Sequence, residues 1–376
     1  MELKLYSTIT EIDPLCWNMM SGLDFPFSDH TFLSTLEKSA AVGNRSGWQP
    51  FYLTLWQDRV LSGAMLLYYK TNSYGEYIFD WDWARAYQAH GRDYYPKLVS
   101  AIPFTPATGH KILISPNAQY SKVAQQLFNA VYKLNSQLGC NSIHYLFIHP
   151  TELATFLDNG FTLRHSLQFH WRNRDYQDFN DFLNRLKSRK RKLIKNERLQ
   201  VQRSGVHIVR LQGDELTDEH AVIMGEFYRN TIEKKAAIAY LNNNFFQMIF
   251  QNFKKNIVLF LASLDGRWVA GALNFQKGNK LFGRYWGCRR EYRFLHFELC
   301  YYQAIEYAIT NKLRMVEAGA QGEHKVQRGF LPELTYSAHY IKDRDFKAGV
   351  DQYIALEKRR VWSELELYYS SSPYIS

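Results

Sequence analysis

The sequence predicts an α/β (α+β) protein made of two tandem copies of one unit, each a mostly antiparallel mixed sheet flanked by helices. Two observations predict this fold. Residues 51–102 match residues 257–309, and each copy runs from apolar strands joined by tight turns into an amphipathic helix and a further strand. The 376 residues, 46% of them hydrophobic, are enough for two domains that each bury a core.

The repeat begins with a hairpin in each copy. The second copy turns at Asp265-Gly266, and Asp-Gly between apolar runs is a strong hairpin signal. A third strand, a helix over about 296–311 and a strand over 313–318 follow. The matched positions are Gly63-Ala64 with Gly271-Ala272, Gly75 with Gly283, Tyr77 with Tyr285, and Tyr94-Tyr95 with Tyr301-Tyr302. We expect these pairs to occupy equivalent places.

The pattern divides the chain into a first domain at 1–166, a second at 167–343 and a helical extension at 344–376. The start of the chain lacks a basic segment followed by an apolar stretch, and no run is long and apolar enough to span a membrane. The scattered cysteines show no metal-ligand spacing: Cys16, Cys140, Cys288 and Cys300. These features predict a cytoplasmic protein with reduced thiols and no metal site.

A basic helix is predicted over residues 178–199. Seven basic residues and one acid, Glu197, lie between positions 187 and 198. The apolar stripe consists of Phe179, Phe182, Leu183, Leu186 and Leu193. Its continuation turns Lys190 and Glu197 toward the packed side and Arg191, Lys195 and Arg198 away from it. We expect Lys190, Arg191 and Lys192 to bind phosphates; the alternative is a solvated cationic face.

The internal repeat, together with the basic segment between its two copies, resembles the FemAB-like predicted N-acyltransferases. This is a family of tandem GNAT-fold proteins of peptidoglycan biosynthesis or recognition. The resemblance covers nearly the whole chain. It rests on the runs SYGEYIFDWDWA, YYPKL, AIPFTP, SRKRK, GRYWGC, FLHFE, CYYQAIEYAI and EAGAQGEHK. It implies two GNAT-like domains and transfer of an acyl or aminoacyl group from an activated ester or thioester to an amine.

The resemblance leaves two donors open, and no tightly bound cofactor is expected. GNAT enzymes hold coenzyme A on a glycine-containing loop before the helix, where this chain has Arg289–Leu295 without glycine. That departure favours an aminoacyl-tRNA over an acyl-coenzyme A. The acceptor implied is an amine, small or lipid-linked, on a cell-wall precursor, and the basic helix would meet the phosphates of tRNA or coenzyme A.

The candidate transfer site is the stretch after the strand at 313–318, where small residues let a ligand approach the backbone. Glu317, Glu323 and His324 are alternative general bases, and Tyr285 or Tyr301 is a candidate for steadying the oxyanion or leaving group. The substrate-binding candidates in this region are Arg284, Gln321, Lys325 and Arg328. The alternative for residues 323–325 is an exposed polar loop.

Further substrate-binding candidates are His296 and Glu298 at the start of the second-copy helix, and Asp80 and Asp82 in the first copy. If the first-copy stretch stays extended, both aspartates face one side. Cys300 shares a helical face with His296, which permits a Cys–His acyl-enzyme, although a buried structural cysteine is favoured.

Two other functions fit parts of the sequence. A non-catalytic module that binds RNA or cell-wall precursors would use the basic helix alone. A metal-dependent nuclease would use the Glu-x-Lys at 323–325 with Glu317, although the repeat does not suit that class.

Overall fold

The computed structural model describes residues 1–43, 45–319 and 322–375, with the backbone alone at Glu323. The strands are β1 (Glu2–Tyr6), β2 (Trp48–Gln57), β3 (Val60–Lys70), β4 (Lys97–Ser100), β5 (Leu113–Ile114), β6 (Ser142–Ile148), β7 (Thr162–Arg172), β8 (His207–Gln212), β9 (Ile257–Leu264), β10 (Arg267–Lys277), β11 (Lys280–Cys288), β12 (Met315–Glu317) and β13 (Leu331–Ile341). The helices are α1 (Pro14–Asn18), α2 (His30–Lys38), α3 (Trp81–Ala89), α4 (Tyr120–Gln137), α5 (Leu153–Asp158), α6 (Phe179–Asn184), α7 (Ser188–Arg203), α8 (Asp218–Lys234), α9 (Asn243–Asn252), α10 (Leu295–Phe297), α11 (Gln303–Thr310) and α12 (Arg344–Ser370).

The chain divides into two compact units. Unit 1 holds residues 1–166 and 334–363, and unit 2 holds residues 167–333 and 364–376. The sequence pattern assigned residues 334–343 to the second copy and 344–376 to an extension, whereas the units distribute these residues between them. The reason is that most of β13 pairs with β6 of unit 1, and the first part of α12 packs on the unit 1 core.

The two units have the same strand order and directions. In unit 1, β1, β2, β3 and β4 are antiparallel neighbours, β4 is parallel to β6, and β6 is antiparallel to β13. In unit 2, β8, β9, β10 and β11 are antiparallel neighbours, β11 is parallel to β12, and β12 is antiparallel to β7. The predicted α/β fold with an internal duplication is therefore confirmed.

The predicted hairpins form, but Gly63 and Gly271 are not equivalent in three dimensions, because the bulge at Ser62 in β3 corresponds to the bulge at Val269 in β10, which matches Gly63 with Ala270. Gly63 pairs with Leu55 across the β2–β3 hairpin, and Gly271 pairs with Leu261 across β9–β10. A side chain has little room at either glycine. A Cβ at Gly63 would lie 2.4 Å from Val123 of α4, and one at Gly271 would lie 2.6 Å from Met224 of α8.

The later part of the predicted match is wrong. Gly75 and Tyr77 lie in the connection after β3, not on a third strand like Gly283 and Tyr285. The Tyr94-Tyr95 pair precedes β4, whereas Tyr301-Tyr302 lies in a helix. Unit 1 places residues 71–96, including α3, between β3 and β4, whereas a tight turn at 278–279 joins β10 to β11. The insertion of residues 71–96 was missed because Tyr94-Tyr95 and Tyr301-Tyr302 have similar spacing in the two copies.

The predicted basic helix is two helices. Residues 185–187 separate α6 from α7, and Leu186 turns inward there. The buried residues of α7 are Ile194, Glu197 and Val201, so Leu193 was the wrong residue of the stripe. Glu197 faces the core as expected. Arg198 was expected to point away, but it is partly covered by contacts with Glu298 and Glu306.

Helices cover both faces of the unit 2 sheet. Residues 295–310 form one helical run, a π-turn at Glu298–Tyr302 joining α10 to α11, and it packs with α6 and α7 on one face. On the other face, α8 lies against β11 at Gly287, where a Cβ would come within 1.9 Å of the Phe227 carbonyl oxygen. Only glycine permits this approach of helix to strand.

We expect Gly287→Ala to lower the free energy of unfolding by about 1–3 kcal/mol, because the new methyl group meets backbone that cannot rotate away. The measurement is urea denaturation followed by circular dichroism. The matched control is Gly349→Ala in α12, where nothing lies within 4 Å of the added Cβ. That variant is expected to be neutral or stabilising by up to about 1 kcal/mol. Equal effects of the two changes would contradict this account of the helix–strand contact.

Candidate functional site

The sheet of unit 2 opens where β12 ends. Strand β12 is parallel to β11 over three residues, with Phe282 opposite Glu317. Beyond Glu317 the chain follows β7 instead: the Ala318 N–H donates to the Phe169 carbonyl, and the Phe169 N–H donates to the Gly319 carbonyl. Strand β11 continues to Cys288 without this partner. The two neighbouring segments therefore separate at the carboxyl end of β12, which is where ligands enter many α/β sheets.

A bulge in β11 lies beside this opening. Leu273 pairs with Tyr285 and Asn274 pairs with Gly283, so Arg284 is the extra residue. Bulges re-aim side chains and occur often next to active sites. Here Arg284 forms a buried ion pair with Glu317, whose other oxygen lies 3.8 Å from His170 Nε2. Glu317, a predicted base, is thus committed to an ion pair with Arg284, itself predicted to bind substrate.

Lys325 lies at the opening and is 5% exposed. Its Nζ donates to the carbonyl oxygens of Ala318, at 2.6 Å, and Gly319, at 3.2 Å. Burial, with a smaller contribution from Arg284, lowers the pKa of Lys325 to about 8, although Cys300 and Glu317 oppose this. The ammonium group is therefore held at the sheet opening by backbone oxygens rather than by a carboxylate.

Two imidazoles lie close to this lysine. His324 Nε2 is 2.9 Å from the Tyr301 hydroxyl, and the rings of His324 and His296 are 6.1 Å apart. Burial lowers the pKa of His296 to about 4, with help from His324 and Lys325. Burial and the cations Arg328 and Lys325 also lower the pKa of His324. Both rings are consequently neutral at pH 7.

The predicted substrate-binding residues Arg328 and Glu298 hold the helices together. Arg328 binds Glu197 at 2.5 and 3.1 Å, donates to the His324 carbonyl at 2.7 Å, and stacks on the Phe297 ring at 3.5 Å. Glu298, 3% exposed, accepts from Arg198 at 3.1 Å. Both charges are therefore paired with an opposite charge rather than left unpaired at the opening. A buried charge without a counter-charge would be costly.

Tyr285 is not brought to this cluster. Its ring contacts Tyr228 of α8 and Phe245 and Phe246 of α9. The next residue, Trp286, contacts His296, so the alternation of the strand places Tyr285 on the opposite face. Gln321 and the side chain of Glu323 lie outside the described residues.

The cations of α7 differ in exposure. Lys192 is exposed, and Lys190 and Arg191 are partly buried. The helix is anchored through Glu197 and Arg198, which leaves its cationic side on the surface of unit 2.

In unit 1 the two predicted aspartates do not face the same way. Asp80 is 4% exposed at the start of α3 and binds Lys97 Nζ at 2.5 Å, whereas Asp82 in the first turn is exposed and pairs with Arg85. The two side chains would face one side only if the stretch were extended, but the helix begins at Trp81, directly after Asp80, and this separates them. Lys97 also binds Glu76 at 2.8 Å, and the pair lies deep in the unit.

Two further groups of buried side chains were not predicted from the sequence. His170 Nδ1 lies 3.1 Å from Glu333, and hydrogen bonds from His170 and Arg172 outweigh burial and lower the Glu333 pKa to about 2. In unit 1, His144 and His339 approach to 2.7 Å between their Nδ1 atoms. These partners are far apart in the chain and carry no local motif.

No helix of the described residues is long and apolar enough to cross a membrane. Among residues 1–43, 45–319 and 322–375, no three His, Cys, Asp or Glu side chains form a group that could hold a metal ion.

Residues 8–376 match the FemAB-like family, which is described as peptidoglycan biosynthesis/recognition. No curated protein matches the chain significantly.

Three solved structures share the fold. FemX is 14% identical, with 93% of this chain and 100% of that chain covered and a TM-score of 0.54. The C-terminal domain of a protein assigned as a lysylphosphatidylglycerol synthetase, from Agrobacterium fabrum, is 9% identical, with 93% and 97% covered and a TM-score of 0.57. L-PGS from Bacillus licheniformis is 11% identical, with 86% and 95% covered and a TM-score of 0.53. The predicted fold of two tandem GNAT-like units is confirmed.

We expect Glu197→Gln to cost about 3–5 kcal/mol of unfolding free energy, because it leaves the Arg328 guanidinium buried without a counter-charge. Chemical denaturation measures this loss. Glu306→Gln is the control: Glu306 is 44% exposed in its pair with Arg198, so its loss should cost less than about 1 kcal/mol. The double variant Glu197→Gln/Arg328→Met should recover much of the stability. A small loss at Glu197 would show that the pair does not hold these helices.

Proposed function

The chain belongs to the FemAB-like family, and we propose that it is an N-acyltransferase that moves an acyl or aminoacyl group from an activated ester or thioester to an amine. The acceptor we propose is an amine, small or lipid-linked, on a cell-wall precursor, in keeping with the family's description. One observation carries the proposal. A neutral imidazole, His324, and a buried ammonium, Lys325, stand next to each other at the opening of the unit 2 sheet.

The proposed reaction follows the needs of acyl transfer. The acceptor nitrogen attacks the carbonyl carbon, a C–N bond forms, and the carbonyl oxygen becomes an oxyanion. His324, directly or through water, takes the proton that the nitrogen loses, with Glu323 as the alternative base. The tetrahedral intermediate then collapses, the bond to the ester oxygen or thioester sulfur breaks, and the leaving group accepts a proton. Tyr301, which is bonded to His324, is the proposed proton donor to that group.

Lys325 is the proposed stabiliser of the oxyanion. An ammonium group has three N–H donors, and within the described part of the chain two of them are bound by Ala318 and Gly319. The remaining donor is available to a negative oxygen that develops beside β12. A fixed donor at such a position acts without reorganisation in the transition state.

The donor's phosphates are proposed to meet two cationic surfaces. Arg289, Arg290 and Arg293 lie before the helical run at 295–310, whose N-terminus favours anions, and all three are exposed. The second surface is α7 with Lys190, Arg191 and Lys192. Two cationic surfaces suit a polyphosphate such as aminoacyl-tRNA better than coenzyme A alone. An aminoacyl group is also what the name of the Agrobacterium protein implies for that protein.

The transferase is favoured over the nuclease. Paired metal-binding acids would need Glu317 free, whereas it is bound to Arg284, and Lys325 is bound to backbone carbonyls. Neither side chain therefore has the position that a metal-dependent nuclease site would require.

We expect transfer activity to fall as the pH rises through about 8, because Lys325 loses the proton that makes it an oxyanion donor. Lys325→Ala should reduce kcat/KM by about 100- to 1000-fold. The assay follows radiolabel from bulk aminoacyl-tRNA or acetyl-coenzyme A into an amine-containing pool of cell-wall precursors.

Two variants sharpen this test. Lys325→Arg keeps a cation whose pKa lies far higher, so the alkaline fall in activity should disappear even if the maximum rate drops. Lys255→Ala removes an exposed lysine of the same unit and should change nothing. An unchanged alkaline limb in Lys325→Arg would assign that limb to another group and remove Lys325 from the chemistry.

Replacing Lys190, Arg191 and Lys192 by alanine should weaken binding of bulk tRNA and flatten its dependence on salt. Each lost phosphate contact lowers the slope of log K against log salt by about 0.7–0.9, so the slope should fall by roughly 2–3. Fluorescence anisotropy between low and moderate salt measures it. The control replaces three exposed lysines of unit 1, Lys122, Lys133 and Lys358. Equal slopes for the two triple variants would mean that α7 is only a solvated surface.

A further inference from the structure

Unit 1 contains a groove that plays no part in the transfer site of unit 2. It runs between α3 and the first part of α12 and has a volume of about 490 Å³. This size falls in the range of about 300–1,000 Å³ that is typical of small-molecule sites. The side chains that matter here are Asp82, Trp83, Tyr87 and Arg92 on the α3 side, and Phe346 and Tyr353 on α12.

The walls of the groove are aromatic and fixed. The Tyr87 and Phe346 rings stack at 3.8 Å, and Trp83 meets Tyr353 edge to face at 6.2 Å. Trp83 and Tyr87 are 4% and 2% exposed and belong to a small apolar cluster with Val350. A ligand therefore meets surfaces that are already ordered, which lowers the entropic cost of binding.

One buried polar group in this groove has no partner. The Tyr87 hydroxyl is buried, and none of the described residues forms a hydrogen bond with it. Burial, with a contribution from Asp343, raises the pKa of Tyr87 to about 12, so this hydroxyl is neutral and able both to donate and to accept. A buried hydroxyl left unpaired costs about 1–3 kcal/mol, which a ligand hydroxyl would recover.

The rim of the groove carries both signs of charge. Asp82 and Asp345 are exposed carboxylates. Arg92 provides guanidinium donors and is itself paired with Asp343. A cationic ligand would be attracted by the carboxylates but repelled by Arg92. An anionic ligand would be repelled by the two aspartates. Mixed donors and acceptors around apolar rings fit a neutral ligand whose groups both donate and accept.

We propose that this groove binds a neutral saccharide. Sugar rings present apolar C–H faces to aromatic side chains and hydroxyls to Asp82, Asp345, Arg92 and the Tyr87 hydroxyl. Saccharide binding in this groove requires no acyl transfer in unit 2. The binding proposal can therefore be tested independently of the chemistry proposed there.

The test uses two neutral trisaccharides, triacetylchitotriose and maltotriose, with choline as the cationic comparison. Saturation-transfer NMR and titration calorimetry with the full chain measure binding. At least one trisaccharide should bind. Tyr353→Ala should weaken that binding by about tenfold or more, as expected for loss of an aromatic contact. Tyr87→Phe, which removes only the unpaired hydroxyl, should weaken it several-fold with no loss of thermal stability.

The matched control is Trp362→Ala. Trp362 lies on the same helix and in the same unit, is 42% exposed against 36% for Tyr353, and does not line the groove. It should leave the affinity unchanged. The proposal is overturned if neither trisaccharide binds at millimolar concentration, if Trp362→Ala and Tyr353→Ala weaken binding equally, or if choline binds in a Tyr353-dependent manner and the sugars do not.

Discussion

The buried ion pair between Glu197 and Arg328 is the interaction on which the proposed transfer site of unit 2 depends. Arg328 extends from the short 3-10 helix at 323–328 and binds Glu197 of α7, the Tyr302 hydroxyl and the His324 carbonyl. A single guanidinium thus joins three segments. Because both charges are buried, each is costly without the other, so the pair favours the arrangement that keeps these segments together. His324 and Lys325 are positioned through that arrangement rather than by their own contacts alone.

The cost of burying an unpaired charge also explains why several predicted substrate-binding residues have structural roles. Arg284, Glu298 and Arg328 sit near the opening, yet each is paired with an opposite charge. What remains at the opening is one lysine bound to carbonyls and two neutral imidazoles. Acyl transfer to an amine needs a proton acceptor and an oxyanion donor more than it needs fixed charge pairs. The paired residues therefore shape the site, and the few groups free of opposite charges are the ones suited to chemistry.

The sequence was informative where the signal was local. Asp265-Gly266 marked a hairpin, and Glu197 on an apolar stripe marked a buried charge. It failed where the signal was shared by unrelated structures. Tyr94-Tyr95 resembles Tyr301-Tyr302 in spacing although one pair precedes a strand and the other lies in a helix. Contacts such as His170 with Glu333 depend on pairing of distant strands, and no periodicity in one sequence encodes that.

The insertion that misled the alignment also explains how unit 1 differs from unit 2. Helix α3 begins at residue 81, directly after Asp80, which is held in the core by Lys97, with the Tyr94 hydroxyl also donating to it at 2.5 Å. Two and three residues further on, in the first turn of the helix, Asp82 and Trp83 line the groove. The start of the helix is thus fixed by buried charges, while the following residues line the groove. Unit 2 has only a tight turn between the equivalent strands, so it can hold neither the buried charges nor the groove. The two copies of the fold therefore differ in surface because one connection between equivalent strands differs in length.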